Sequence, residues 1–321
     1  MPAPTFQPVP PGSVAFPAPV PAPGFPPFGA PPKKKSAWGK IVAIILLSLG
    51  LTATLVLFAV AYLRLEEANA RIDELDRKIE EQKDLIDKKE TFGAGMNDLL
   101  DTARAFEGVK MTDIVPVRTY GDIASSAWTH RWDAVAVDAD IADVAAEKKK
   151  LEDLLAAASI QASSNVSGTA DESTIDQLGL GFVTTVIEEA DALCQSDVWA
   201  CVLHEDPYTV HFDADEAQVE YMTDWLRTGV AYHEFAHVLQ MTNPGPTEAA
   251  AASFGGDWET MADCFALTYL PGWSLDHTIW VSDVQYWNVS VGYGYTCDAP
   301  QMQVIRDWYE PLGFAVTPIS Q

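Results

Sequence analysis

An uncharged apolar segment near the N-terminus constrains the fold of this chain more than any other feature. Residues 41–63 contain no charged side chain. A helix rises about 1.5 Å per residue, so this segment can cross about 30 Å of hydrocarbon. Trp38 and Tyr62 stand at its ends, where amphipathic rings favour the membrane interface. We expect a transmembrane helix; the competing interpretation, a secretory signal, conflicts with the length and with the lack of a small-residue cleavage pattern.

The charges on either side of this segment predict its orientation. Lysines occupy positions 33, 34, 35 and 40, whereas Arg64 is followed at once by Glu66 and Glu67. The positively charged flank of a membrane helix usually stays in the cytoplasm. We therefore expect a single-pass protein of the cell membrane, with residues 1–40 inside the cell and everything after residue 63 outside.

The N-terminal 40 residues form a proline-rich tail. Residues 1–32 hold 13 of the 21 prolines. Proline fixes φ and lacks an N–H donor, so the tail cannot pack as a helix or a sheet. It is predicted to be disordered; a docking site for a domain that binds proline-rich peptides is the alternative.

Residues 64–92 are predicted to form a helical stalk. Apolar residues recur every seven positions, which is the pattern of a coiled coil. The sequence leaves open a homodimer through this stalk and a lone extended helix, because the intermediate positions become polar towards the end. Gly93 and Gly95 are expected to end the helix. The seven-residue series is Leu65, Ile72, Ile79 and Ile86, and the intermediate series is Ala68, Leu75, Gln82 and Lys89.

The remainder is predicted to comprise a membrane-proximal helical region, 97–190, and a second globular domain, 191–321. Within it we expect helices at 132–158 and 182–193, a loop at 161–176 and a strand at 208–213.

The net charge of −26 would repel nucleic acid and anionic lipid, so a nucleic-acid partner is not expected.

Four cysteines follow residue 190. Outside the cell, an oxidising environment favours disulfides over thiol chemistry. Among the three pairings that four cysteines allow, we favour Cys194–Cys201 and Cys264–Cys297.

Two histidines, His233 and His237, lie four residues apart. On a helix they project from one face and can bind one zinc ion. Glu234, next to the first histidine, could accept a proton from a zinc-bound water. The helix is predicted to run from about residue 215 to 242, where an Asn-Pro-Gly-Pro segment ends it.

A third ligand is predicted in a second helix, capped at its start by Asp257. Glu259 and Asp263 lie four residues apart on one face of that helix. Glu259 could bind the metal, while Asp263 could accept the free ring N–H of a histidine ligand. A solvent-facing acidic stripe is the alternative, which the apolar neighbours Met261 and Phe265 disfavour.

These two segments, residues 233–240 (HEFAHVLQ) and 259–266 (ETMADCFA), resemble the neutral zinc metallopeptidases of bacteria. That family belongs to the zincins with a glutamate as third ligand. The resemblance covers roughly residues 194–321. Val238 departs from the pattern, since many members have another histidine there. The metzincin pattern, with a glycine and a third histidine after the motif, is absent.

The resemblance implies zinc as cofactor and an α+β, mainly helical zincin-like domain with a small sheet. It implies that His233, His237 and Glu259 bind the metal, that Glu234 is the catalytic base and that Asp263 orients a ligand.

Other residues are weaker candidates for the same site. His204 and His211 lie on or near the predicted strand, which in zincins borders the substrate cleft. His277, Tyr293 and Tyr295 follow the third ligand, where zincins often place a residue that stabilises the transition state.

The expected function is a membrane-anchored, extracytoplasmic zinc endopeptidase acting on peptide or protein substrates. The alternative is a catalytically inactive cell-surface binding or scaffold protein with a structural zinc site.

Overall fold

The computed structural model describes residues 37–194, 198–216, 219–293 and 297–315. Most of the proline-rich tail, together with Tyr295, lies outside these ranges. The chain divides into two compact units, Met1–Glu74 and Leu75–Gln321.

A long helix, α1 (Ala37–Ala103), begins in the first unit and ends in the second. It contains the predicted membrane segment and is the one helix of the described residues that is long and apolar enough to span a membrane. The side chains of its most apolar part are exposed, as a lipid-facing surface requires.

The predicted end of the stalk at Gly93 and Gly95 is wrong, because α1 continues to Ala103. A glycine costs a helix interior about 1 kcal/mol relative to alanine, which tertiary packing can offset. Gly95 lies so close to Val144 of the third helix that an added Cβ would be 3.3 Å from its Cγ1 atom. Leu99 and Ala103, one and two turns later, are fully buried. Packing therefore extends the helix past both glycines.

Three further helices precede the sheet: α2 (Val117–His130), α3 (Ala134–Ser164) and α4 (Ala170–Gly179). The helix predicted at 132–158 is present and extends six residues further. The prediction of a loop at 161–176 is wrong at both ends, because its first residues belong to α3 and its last residues belong to α4. The Thr169 side chain caps α4 by accepting a hydrogen bond from the backbone N–H of Glu172, and Ile175 is fully buried.

A three-stranded sheet follows, made of β1 (Thr184–Glu188), β2 (Ala200–Leu203) and β3 (Asp206–Asp213). Strand β3 lies in the centre, parallel to β1 and antiparallel to β2. It contains the strand predicted at 208–213. The helix predicted at 182–193 is wrong: its β-branched residues 184–187 form β1 instead.

The described residues of the C-terminal part contain four α-helices and a hairpin. The helices are α5 (Asp224–Thr242), α6 (Pro244–Ala251), α7 (Trp258–Tyr269) and α8 (Ala299–Tyr309). The hairpin pairs β4 (Asp276–Ser282) with β5 (Gln285–Ser290). Helix α5 starts nine residues later than predicted, where the Thr223 side chain accepts a hydrogen bond from the backbone N–H of Leu226.

One hydrophobic core crosses the boundary that the sequence suggests at residue 190. Phe106 and Leu151 belong to the same buried cluster as Phe235 and Phe265. Full burial of such side chains contributes about 1.5–3 kcal/mol each. Residues 97–190 therefore help to hold α5 and α7 in place.

Both expected disulfides are present. Cys194 pairs with Cys201, with Cα atoms 6.0 Å apart, and Cys264 pairs with Cys297 at 5.1 Å. Two such bonds are typical of proteins in an oxidising, extracytoplasmic compartment.

Candidate metal centre

Helices α5 and α7 pack against each other and bring the predicted ligands together. Phe235 and Ala236, between the two histidines of α5, are fully buried. Helix α7 begins after Gly255 and Gly256, both at positive φ, and Asp257 caps it as predicted. Two alanines of α7, whose small side chains let helices approach closely, are buried: Ala262 and Ala266.

Three ligand atoms converge at one point between these helices. The Nε2 atoms of His233 and His237 are 3.1 Å apart, and each lies 3.1 Å from the Oε2 atom of Glu259. Two ligands of one zinc ion lie roughly 3.0–3.5 Å apart when each bond is about 2.0–2.1 Å long. This group of side chains could therefore hold a metal ion.

The hydrogen bonds of the two Nδ1 atoms show that the Nε2 atoms face the ligand group as acceptors. The Nδ1–H group of His233 donates to the Asp263 carboxylate at 2.8 Å, because a carboxylate can only accept. The Nδ1–H group of His237 donates to Oε1 of Gln240 at 2.7 Å. In its neutral form, each imidazole would present a lone pair on Nε2, next to the carboxylate oxygen of Glu259.

Three acceptor atoms this close together require a positive charge among them. A proton on one imidazole would join only two of these atoms, whereas a cation contacts all three. Two imidazoles and one carboxylate are also a ligand set that suits zinc. The described residues thus fit the zinc ion that the sequence predicts.

The close approach of the ligand side chains shifts the pKa values of His233 and Glu259. Burial lowers the pKa of His233, but hydrogen bonds to Asp263 and Glu259 outweigh it and raise the pKa to about 10. Burial raises the pKa of Glu259, yet its hydrogen bonds to both histidines hold it well below the usual range. Both directions mean that the site favours bound positive charge.

Glu234 is a buried carboxylate without a partner for one oxygen. Its Oε2 atom has no hydrogen-bond partner among the described residues, although the side chain is buried. Burial raises its pKa, against the opposing effect of the two histidines. A carboxyl with a raised pKa beside a metal site is suited to accept a proton and release it again.

Two cavities of about 370 Å³ meet at His233 and Glu234. One is bounded by apolar and polar residues of α5, α7 and the segment after β5. The other is bounded by β2 and by His237 and Glu259. The ligand group is therefore open to solvent on a cleft, and the Glu259 side chain is 41% exposed.

Tyr293 is the one weaker candidate that the structure places in the cleft. Its ring stacks on His233 with centroids 6.1 Å apart, and its backbone N–H donates to Oδ2 of Asp263 at 2.9 Å. It borders both cavities. Burial raises the pKa of its hydroxyl, so the group stays protonated and can donate a hydrogen bond.

The three histidine candidates lie elsewhere, and Tyr295 is outside the described residues. His211 pairs with Glu188 across β1 and β3, at 2.6 Å. His204 is exposed in the turn after β2, and His277 packs on the ring of Trp273. The strand that borders the cleft is β2, not the predicted strand at 208–213.

Gln240 is a site residue that the sequence reasoning missed. It is fully buried, and its Nε2 group donates to the backbone oxygen of Trp258 at 2.9 Å, which turns Oε1 towards His237. Its position three residues after His237 on one helix could have indicated the contact, because side chains at this spacing are neighbours.

Replacing Gln240 by Met is expected to weaken zinc binding by about 10- to 100-fold, the usual effect of losing a partner that orients a histidine ligand. Methionine has a similar size but cannot accept the Nδ1–H bond strongly. Titration against a zinc-chelating dye measures the change. The variant Gln240→Glu keeps an acceptor and serves as control. Equal affinities for wild type and Gln240→Met would contradict this role.

No known protein family, characterised protein or solved structure is detectably similar to this chain.

Proposed function

We propose that this protein is a zinc-dependent endopeptidase of the zincin class, anchored in the cell membrane with its site outside the cell. The observation that carries the proposal is the group of three converging ligand atoms beside Glu234, on an open cleft. The motif resemblance to bacterial neutral zinc metallopeptidases supports the same conclusion.

His233, His237 and Glu259 would hold the zinc ion. Once bound, zinc supplies a Lewis acid that polarises the scissile carbonyl and makes water acidic enough to attack near neutral pH. Asp263 and Gln240 fix the tautomers of the two histidines. Glu234 takes one proton from the attacking water and delivers it to the leaving amine nitrogen as the C–N bond breaks. Tyr293 would donate a hydrogen bond to the carbonyl oxygen as it gains negative charge.

The sheet offers a binding surface for an extended peptide. Strand β2 stands at one edge of the three-stranded sheet and borders the cavity that contains His237 and Glu259. An extended substrate can pair with such an edge through backbone hydrogen bonds. This supports a peptide as substrate, lying along β2 across the ligand group.

The membrane location rests on the apolar part of α1 and on the disulfides. The lysines ahead of the segment favour a cytoplasmic N-terminus, and the two disulfides are consistent with an oxidising outer compartment.

Zinc removal and return tests the proposal. The purified full-length protein in detergent should cleave a mixed peptide library, lose that activity with a chelator and regain it with added zinc. Cleavage that survives complete zinc removal would refute the mechanism.

A scaffold with a structural zinc site is the competing function. Structural zinc sites usually have four protein ligands and are closed, whereas three are present among the described residues and the site faces a cleft. Tightly bound zinc without any chelator-sensitive cleavage would favour the scaffold.

The stalk supports a homodimer as a further part of the proposal. Leu65, Ile72, Ile79 and Ile86 remain 54–59% exposed along α1. Ile79→Lys should lower the fraction of chemically cross-linked dimer in membranes, because it places a charge in the apolar seam. Ala70→Lys, at an outward heptad position, is the matched control. A dimer fraction unchanged by Ile79→Lys, or its absence in wild type, would contradict a coiled-coil stalk.

A further inference from the structure

A groove of about 850 Å³ lies between α1 and the corner that joins α2 to α3. One wall is a face of α1 that is about three turns long, and the other is the α2–α3 corner, residues 132–135. Two apolar side chains of the corner are open to solvent: Trp132 is 75% exposed and Val135 is 79% exposed. Exposed apolar surface of this kind marks an interaction site. The wall on α1 consists of Lys78, Glu81, Gln82, Leu85, Ile86 and Lys89.

An ion pair and a helix cap hold the α2–α3 corner in place. The ammonium group of Lys88 on α1 lies 2.7 Å from the Asp138 carboxylate and donates a hydrogen bond to the backbone oxygen of Ala134. The Asp133 side chain accepts hydrogen bonds from two backbone N–H groups in the first turn of α3. The groove is therefore a defined feature between two elements that are fixed to each other.

The groove continues the apolar seam of the stalk. The heptad positions that are expected to face a second helix include Gln82, Ile86 and Lys89, and all three also line the groove. A helix that pairs with this seam must therefore lie beside Trp132 and Val135. This continuity points to the stalk of a second copy as the occupant.

Trp132 also reduces the repulsion that Lys89 would cause in such a pair. At an intermediate seam position, the lysines of two parallel copies face each other and repel. The Nζ atom of Lys89 lies 4.4 Å from the centre of the Trp132 ring, and this cation–π contact draws the charge towards the corner. The corner thus accommodates a polar residue that weakens the seam as a simple coiled coil.

The charges around the groove balance, unlike those of the whole chain. Two copies with a net charge of −26 each repel over most of their surface. The groove is lined by two lysines, Lys78 and Lys89, and by two acids, Glu81 and Asp133. Aromatic side chains bury about 150–250 Å² each, so Trp132 alone can supply roughly a fifth of the ~800 Å² per partner of a stable interface.

We propose that this groove receives the stalk of a second copy, so that each molecule of a homodimer holds its partner's helix between its own α1 and Trp132. The inference rests on the stalk homodimer of the proposed function and extends that interface to the α2–α3 corner. Copies anchored in one membrane in the same orientation have parallel stalks. A two-fold axis between them fills both grooves and closes the assembly at two copies.

The first test measures dimerisation of the full-length protein in phosphatidylcholine vesicles. Energy transfer between donor- and acceptor-labelled copies is followed as lipid is added to dilute them. Trp132→Ala should weaken the dimer by about 30-fold, the effect of truncating a tryptophan at the centre of an interface. Trp280→Ala is the matched control, because Trp280 is 61% exposed on β4, away from the groove. It should dimerise as wild type does.

The second test locates the contact in the same vesicles. Val135→p-benzoylphenylalanine places a photoreactive group on the corner, and isotopically heavy and light copies are mixed before reconstitution. Irradiation should join position 135 of one copy to residues 75–92 of another. Mass spectrometry recognises this product because one of the linked peptides is heavy and the other light.

Two results would overturn the groove as an interface while the coiled-coil stalk stands. One is unchanged dimerisation of Trp132→Ala where Ile79→Lys dissociates; the other is cross-linking confined to single chains. A wild type that stays monomeric would overturn both the groove and the stalk dimer. These measurements need neither zinc nor peptide cleavage, so their failure is distinct from a failure of the proposed endopeptidase.

Discussion

Replacing Glu234 by Gln is expected to slow peptide cleavage by about 10²- to 10⁴-fold, the usual contribution of a general base. Glutamine keeps the shape of the side chain but cannot accept the proton of the attacking water. Glu234 is buried beside the ligand group and has an unpartnered carboxylate oxygen, so no other described acid is equally placed. The zinc content should remain that of wild type, because Glu234 is not among the three ligand residues.

Steady-state rates on the best library peptide, together with metal analysis of the same sample, measure both quantities. Glu248→Gln makes the same chemical change at an exposed position of α6 and should cleave at the wild-type rate. Cleavage by Glu234→Gln within twofold of wild type would show that another group moves the proton. A loss of both cleavage and zinc would mean that Glu234 acts on the metal site itself.

Replacing His233 by Ala should have the second large effect, the loss of zinc and of all cleavage. One of the three converging atoms disappears, and the hydrogen bond to Asp263 is lost with it. We expect zinc affinity to fall by more than the roughly 10- to 100-fold typical of losing an orienting partner alone.

Thermal unfolding with and without zinc measures this change independently of activity. A ligand at 1,000 times its Kd stabilises the folded state by about 4.1 kcal/mol. The melting temperature of wild type should therefore rise with zinc, and that of His233→Ala should not. His204→Ala removes an exposed histidine outside the ligand group and should respond as wild type does. An equal zinc response in His233→Ala and wild type would exclude this histidine as a ligand.

The candidate site residues could be predicted because the patterns that point to them lie within short segments of the sequence. Helical spacing puts His233 and His237 on one face, and Asp257 marks the start of the next helix. What spacing alone could not establish was that Glu259 would lie 3.1 Å from both rings, since this depends on how two helices separated by 15 residues pack.

The errors occur where distant contacts override local preference. Residues 182–193 include apolar positions that fit a helix, but residues 184–187 are β-branched and pair with β3, which is more than 20 positions later in the chain. Gly95 does not end α1 because Val144 packs against it. The shared core of residues 97–190 and 191–321 likewise consists of contacts that no local pattern reveals.

The Cys264–Cys297 disulfide supports the helix that carries the candidate metal ligand Glu259. Cys264 directly follows Asp263 on α7, the helix that carries Glu259, and its partner precedes α8. For a protein exported as proposed, this link can form only after the chain has left the reducing cytoplasm. A molecule that is still inside the cell would lack the disulfide that links α7 to the segment before α8. The helix that carries Glu259 would then gain this covalent support only after export.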